Sequence, residues 1–165
     1  MKLGGCALLP LNAALYFPQV EVNLDEKLDS IIIKNVNNLC AVGDELANKR
    51  RYMEAKSKYL EALKLIPEPT FDWDRSTWIY SAIGDVNFHA GEYEKCMRSF
   101  INAVQCPNGL GNPFIHLRLG QAFFELGDLQ KSADELARAY MGGGKDIFLE
   151  DDPKYLVFLE SKIKI

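Results

Sequence analysis

The sequence is poor in the residues and patterns that catalysis most often needs. It has two histidines in 165 residues, His89 and His116, and neither has a cysteine or histidine at ligand spacing, which speaks against a metal site. Its four cysteines, Cys6, Cys40, Cys96 and Cys106, form no C-x-x-C pair and match no zinc or haem spacing. Read as free thiols, they imply a reducing compartment. No H-E-x-x-H, G-x-S-x-G or phosphate-loop pattern occurs. The glycines of "GLGNP" and of "GGGK" (142–145) do not follow a strand, as a nucleotide loop would, and the second group reads as a helix end. No apolar run approaches a membrane-spanning length. The start, "MKLGGCALLPLNAALYF", lacks the charged, apolar, small-residue order of a secretory signal, and Pro10 and Pro18 break its apolar run. Basic charge is not in excess: the net charge of -4 and pI near 5.2 argue against a nucleic-acid binder. These absences lead us to expect a cytoplasmic protein that is not an enzyme, with no cofactor, no nucleic acid and no membrane partner.

What the sequence does have is an ordinary globular composition, 48% apolar and 25% charged, and an internal period. Three segments align on Gly43, Gly84 and Gly120. Each glycine follows a large apolar residue: Val42, Ile83 or Leu119. Seven positions on comes a turn column, Arg50, Gly91 and Gly127, and two further on stand Tyr52, Tyr93 and Leu129. Twelve after the glycine is a small residue, Ala55, Cys96 or Ser132. Four later is a large one, Tyr59, Phe100 or Leu136, and three later Ala62, Ala103 or Ala139. Breakers close the units: Pro67, Pro107 and the run Gly142 to Gly144. This spacing predicts three helical hairpins, each with its two helices in close approach at the glycine. Such hairpins cannot bury their apolar faces alone and must stack.

These columns resemble the tetratricopeptide repeat over residues 36 to 146, with repeats at 36–69, 77–110 and 113–146. The first unit matches at Leu39, Val42, Gly43, Leu46, Ala55, Tyr59, Ala62 and Pro67. The second departs at Asn87, where the family places an aromatic, and the third at Ser132; His116 falls in a packing column. The resemblance implies an all-α solenoid over 24–165, preceded by an irregular arm at 1–23 in which "VEV" (20–22) is a weak strand candidate. "LDEKLDSIIIKNVNNL" reads as a helix running into the first repeat. A C-terminal capping helix is expected at about 152–163, capped by Asp151 or Asp152, with Pro153 in its first turn and an apolar face of Tyr155, Leu156, Phe158 and Leu159. The linkers at 67–77 and 106–113 should lie along one edge of the stack.

In this family the first helices line a concave groove. Carried over by offset, the groove consists of Asn37, Cys40, Asp44 and Asn48 in the first unit. The second contributes Trp78, Ser81, Asp85 and His89, and the third Phe114, Leu117, Gln121 and Glu125. Trp78 and Phe114 read either as binding anchors or as packing against the linkers. Asp44, Asp85 and Glu125 read as solvated surface that would favour a basic partner. The matching places lack the Lys, Arg and Asn set with which some members clamp C-terminal carboxylates, so a chaperone-tail adaptor is disfavoured. The implied function is binding of a partner protein or peptide through this groove. "CPNGLGNPFIHLRLGQAFFELG" and "DDPKYLVFLESK" resemble small bacterial repeat proteins, some of them found beside polymorphic toxin genes, which implies an immunity role. The alternative is a homodimer or scaffold that self-associates through Trp78, Trp73, Phe71 or the N-terminal arm.

Overall fold

The computed structural model describes residues 28–164, and every regular element among them is helical. The α-helices are α1 (Ser30–Asn48), α2 (Tyr52–Leu63), α3 (Asp74–His89), α4 (Tyr93–Gln105), α5 (Pro113–Glu125), α6 (Leu129–Gly143) and α7 (Lys154–Glu160). Short 3-10 turns occupy Thr70–Asp72 and Lys145–Phe148. The expected N-terminal arm, its "VEV" strand and the first residues of the expected leading helix lie outside the described residues.

Local chemistry sets the helix ends. Asp29 Oδ1 accepts the Ile31 N–H at 2.7 Å and starts α1. Asn112 Oδ1 accepts from Phe114 N at 3.0 Å ahead of Pro113, whose missing N–H costs nothing in a first turn. Each hairpin turns in the same way. Arg50, Gly91 and Gly127 all have positive φ, at 57°, 74° and 80°. The next N–H then reaches back to the carbonyl of Leu46, Asn87 or Phe123, at 2.9, 2.8 and 2.9 Å. That is the Schellman closure, in which a left-handed residue satisfies carbonyls the helix would otherwise orphan.

Within each hairpin the contact is equally repetitive. A Cβ added to Gly43 would stand 2.5 Å from the Tyr59 ring, one on Gly84 2.5 Å from the Phe100 ring, and one on Gly120 2.6 Å from Leu136 Cγ. The glycine thus makes the space that the large residue of the second helix fills. The small column, Ala55, Cys96 and Ser132, is fully buried beside it. α1 packs on α2, α3 on α4 and α5 on α6, with thinner seams from α2 to α3 and from α4 to α5. One apolar cluster runs from α1 to α5; a second joins Leu117, Leu136 and Ala139 to Ile147, Phe148, Tyr155 and Leu159 of the C-terminal segment.

Two boundaries differ from expectation. Helix α3 begins at Asp74, inside the predicted 67–77 linker, because Ser76 and Thr77 are buried and Thr77 Oγ1 donates to Pro107 O at 2.6 Å. Asn108 Nδ2 donates to Asp74 Oδ1 at 3.3 Å, so the start of α3 meets the second linker. Helix α7 spans seven residues, shorter than the predicted cap. Asp152 takes the Lys154 N–H at 2.9 Å, while Asp151 is drawn inward.

Candidate functional site

The twelve positions expected along the first helices divide into a buried set and an open one. Cys40, Asp44, Ser81, Asp85, Phe114, Leu117 and Gln121 are buried. Asn37, Trp78 and Glu125 are half-buried, and Asn48 and His89 are exposed.

The acidic residues are therefore not a solvated surface. Asp44 Oδ1 accepts the Tyr59 hydroxyl at 2.7 Å, so the ring that fills the Gly43 notch also meets this carboxylate. Asp85 accepts Arg118 Nε at 2.7 Å. Glu125 Oε1 takes the Tyr155 hydroxyl at 2.7 Å and Lys154 Nζ at 2.8 Å. A carboxylate on a face where helices converge must be paired to be buried, as Asp44 and Asp85 are, and half-buried Glu125 is paired as well.

Arg118 organises the third hairpin, and the repeat columns did not single it out. It lies on α5 with 2% exposure, and its Nη1 donates to Asp151 Oδ1 at 2.6 Å and to Gln121 Oε1 at 2.7 Å. Its guanidinium stacks over Phe88 at 4.9 Å and Phe114 at 5.3 Å. Burial opposes its charge, but Asp85 and Asp151 outweigh that and raise its pKa further. Gln121 spends its oxygen on Arg118, and its Nε2 is buried without a partner among the described residues.

The C-terminal segment covers the side of α5 that carries Leu117. Leu117 packs in the cluster with Ile147, Phe148 and Tyr155. Tyr155 meets Phe124 edge-on at 5.5 Å and reaches Phe88 at 6.4 Å. Burial first, and the Glu125 carboxylate second, push the Tyr155 phenol well above its usual value. The third-unit positions Phe114, Leu117 and Gln121 are thus internal. Phe114 packs edge-on against Phe100 at 5.9 Å.

The first two hairpins keep more of the face open. Asn37 Oδ1 accepts Arg75 Nη1 at 2.6 Å across the seam to α3. Trp78 meets Tyr59 edge-on at 6.1 Å while staying half-buried; it is Trp73, through Nε1 to Pro67 O at 2.9 Å, that packs on the linker. Ser81 Oγ donates back to Thr77 O at 2.7 Å. His89 stacks on Tyr52 at 5.9 Å and stands 3.6 Å from Asp85 Oδ2.

Two polar residues that broke the repeat columns prove to be structural hubs. Asn87 Oδ1 accepts Lys56 Nζ at 2.8 Å, and its Nδ2 donates to Ser99 Oγ at 3.4 Å. His116 Nδ1 meets Glu135 Oε2 at 2.5 Å and Nε2 meets Leu110 O at 2.7 Å. A carbonyl only accepts, so Nε2 carries a proton; protonation of Nδ1 as well lets the ring donate to Glu135. Burial opposes that charge, but the carboxylate and the carbonyl outweigh it and raise the pKa above the ordinary 6.5.

The thiols are embedded. Cys40, Cys96 and Cys106 are buried and free. Burial pushes the Cys96 thiol far up and the Cys106 thiol to about 11, so both are protonated and unreactive at neutral pH. Among the described residues no group of His, Cys, Asp and Glu could hold a metal ion, and no helix is long and apolar enough to cross a membrane.

Fold and site together define a class: an all-α protein of tandem helical hairpins whose last first-helix is roofed by its own C-terminal segment. No protein-family model matches the chain, and no curated protein matches it significantly.

Proposed function

We propose that the chain is a tetratricopeptide-type interaction module that binds a partner protein or peptide on the first-helix face of its first two hairpins. The observation that carries this reading is the pair of open polar positions, Asn48 and His89, one helical turn beyond the buried carboxylates Asp44 and Asp85, with half-buried Trp78 on the same face. An aromatic held between polar neighbours is the usual form of a binding anchor. The acidic balance of the chain favours a basic partner, and neutralisation of a bacterial toxin domain in the cytoplasm is the specific role that the resemblance supports.

The experiment is partner capture with quantitative affinity for the native chain, Trp78→Ala and His89→Ala. Loss of about tenfold or more in either variant is expected for a hot-spot position. Asp85→Lys is not a surface test, since it would set a second cation against buried Arg118. Equal affinity in all three proteins would place the binding surface elsewhere.

Self-association is the second reading. Phe71 is 38% exposed although it stacks on Tyr80 at 5.7 Å, and Met141, Leu149 and Val157 are 86%, 68% and 62% exposed. Light scattering on the eluting species decides between a monomer and an assembly.

A further inference from the structure

A recess of about 240 Å³ opens on the side of the stack formed by the second helices, between α2, α3 and α4. Leu60, Tyr80 and Ile83 line it as an apolar floor, and Lys56, Lys95 and Arg98 line it as cations. The cations are unequally satisfied. Glu92 pairs with Lys95 at 2.7 Å and with Lys56 at 3.5 Å. Arg98 has no hydrogen-bond or ion-pair partner among the described residues. Two of the three cations lining the recess therefore share one carboxylate and the third has none, on a chain whose net charge is -4.

The site is also built from below. Asn87, 2% exposed, holds Lys56 Nζ at 2.8 Å and is tied in turn to Ser99, so the ammonium is anchored at the wall. The Tyr80 hydroxyl has no hydrogen-bond partner among the described residues, and the Phe71 ring stacked on it holds the phenol in place.

We infer that this recess docks an acidic peptide segment of a partner protein, with carboxylates on Lys56, Lys95 and Arg98 and one apolar side chain on Leu60, Tyr80 and Ile83. The volume suits a side chain and falls short of the roughly 300–1,000 Å³ of small-molecule sites. An unpaired guanidinium presents the planar fork that carboxylates fill with two parallel bonds. The surface is distinct from the first-helix face and opposite to it in charge preference, so either can hold or fail without the other.

The test is a proton–nitrogen shift titration of the full chain at low salt. The probes are a capped acidic hexapeptide with one central phenylalanine, its glutamine-for-acid analogue, and inorganic phosphate. Saturable shifts clustered at Lys56, Tyr80, Arg98 and Asn102 with the acidic peptide alone are expected. Arg98→Glu, an exposed position that leaves the core intact, should weaken that binding about tenfold, whereas Lys34→Glu, the same charge change on α1, should not. The inference is overturned if no saturable shifts appear there, if the glutamine analogue binds equally well, if phosphate binds as tightly as the peptide, or if both variants weaken binding alike.

Discussion

At the scale of single residues, the molecule relies on a few atoms that have no room to change. Gly84 leaves the space taken by Phe100, and a methyl group there would meet the ring at 2.5 Å. Gly84→Ala should therefore cost about 1–3 kcal/mol, the usual effect of overpacking, read as a lower urea midpoint. Pairing it with Phe100→Leu should recover part of the loss, because the smaller side chain frees the notch. His116 makes stability depend on pH. Its folded pKa is raised, so its contribution is complete below the ordinary 6.5 and is lost as pH rises through the folded value. Urea midpoints of the native chain and His116→Gln, followed from pH 5.5 to 8.5, should converge as pH rises; a constant gap would exclude imidazolium pairing with Glu135.

At the scale of elements, the turns repeat a backbone solution more faithfully than a residue. The turn column holds Gly91 and Gly127, but the first hairpin places Arg50 at φ 57°. A left-handed conformation costs an ordinary L-residue about 1–2 kcal/mol relative to glycine. Arg50→Gly should thus raise stability by about 1 kcal/mol despite glycine's greater unfolded-state freedom, measured by thermal or urea unfolding. The repeat columns made the hairpins, their turns and their glycine contacts legible in the sequence. They failed at Asn87 and His116, where a packing residue was expected and a buried polar hub stands. Each departure marked a specific network, but the partners are Lys56, Ser99 and Glu135 on other helices and Leu110 in the preceding linker, and no spacing rule reaches them.

At the scale of the whole molecule, Arg118 joins parts remote in sequence, Asp85 on α3 and Asp151 ahead of α7, and also holds Gln121 on its own helix. Removing it would leave buried Asp85 and half-buried Asp151 without their shared cation. Arg118→Ala should cost about 3–5 kcal/mol, as breaking a buried pair does. It should also raise hydrogen exchange of 145–160 selectively, since those residues are held over α5 partly by this tie. Uniform exchange changes along the chain would show that Arg118 supports the core in general and not this roof.

The amino-acid order by itself determined the helical hairpins, because small, large and turn residues recur at spacings that only close-packed helix pairs satisfy. Of the twelve first-helix positions it marked, Asn48 and His89 are exposed and Trp78 is half-buried. Only the tertiary structure decided that Asp44, Asp85 and Glu125 are paired internally and that the C-terminal segment roofs the third hairpin. It alone gathered Lys56, Lys95 and Arg98 around one recess. Those outcomes depend on charges from separate helices meeting in a low-dielectric space, where burial and pairing are settled together, and a linear pattern carries no record of which charges will meet.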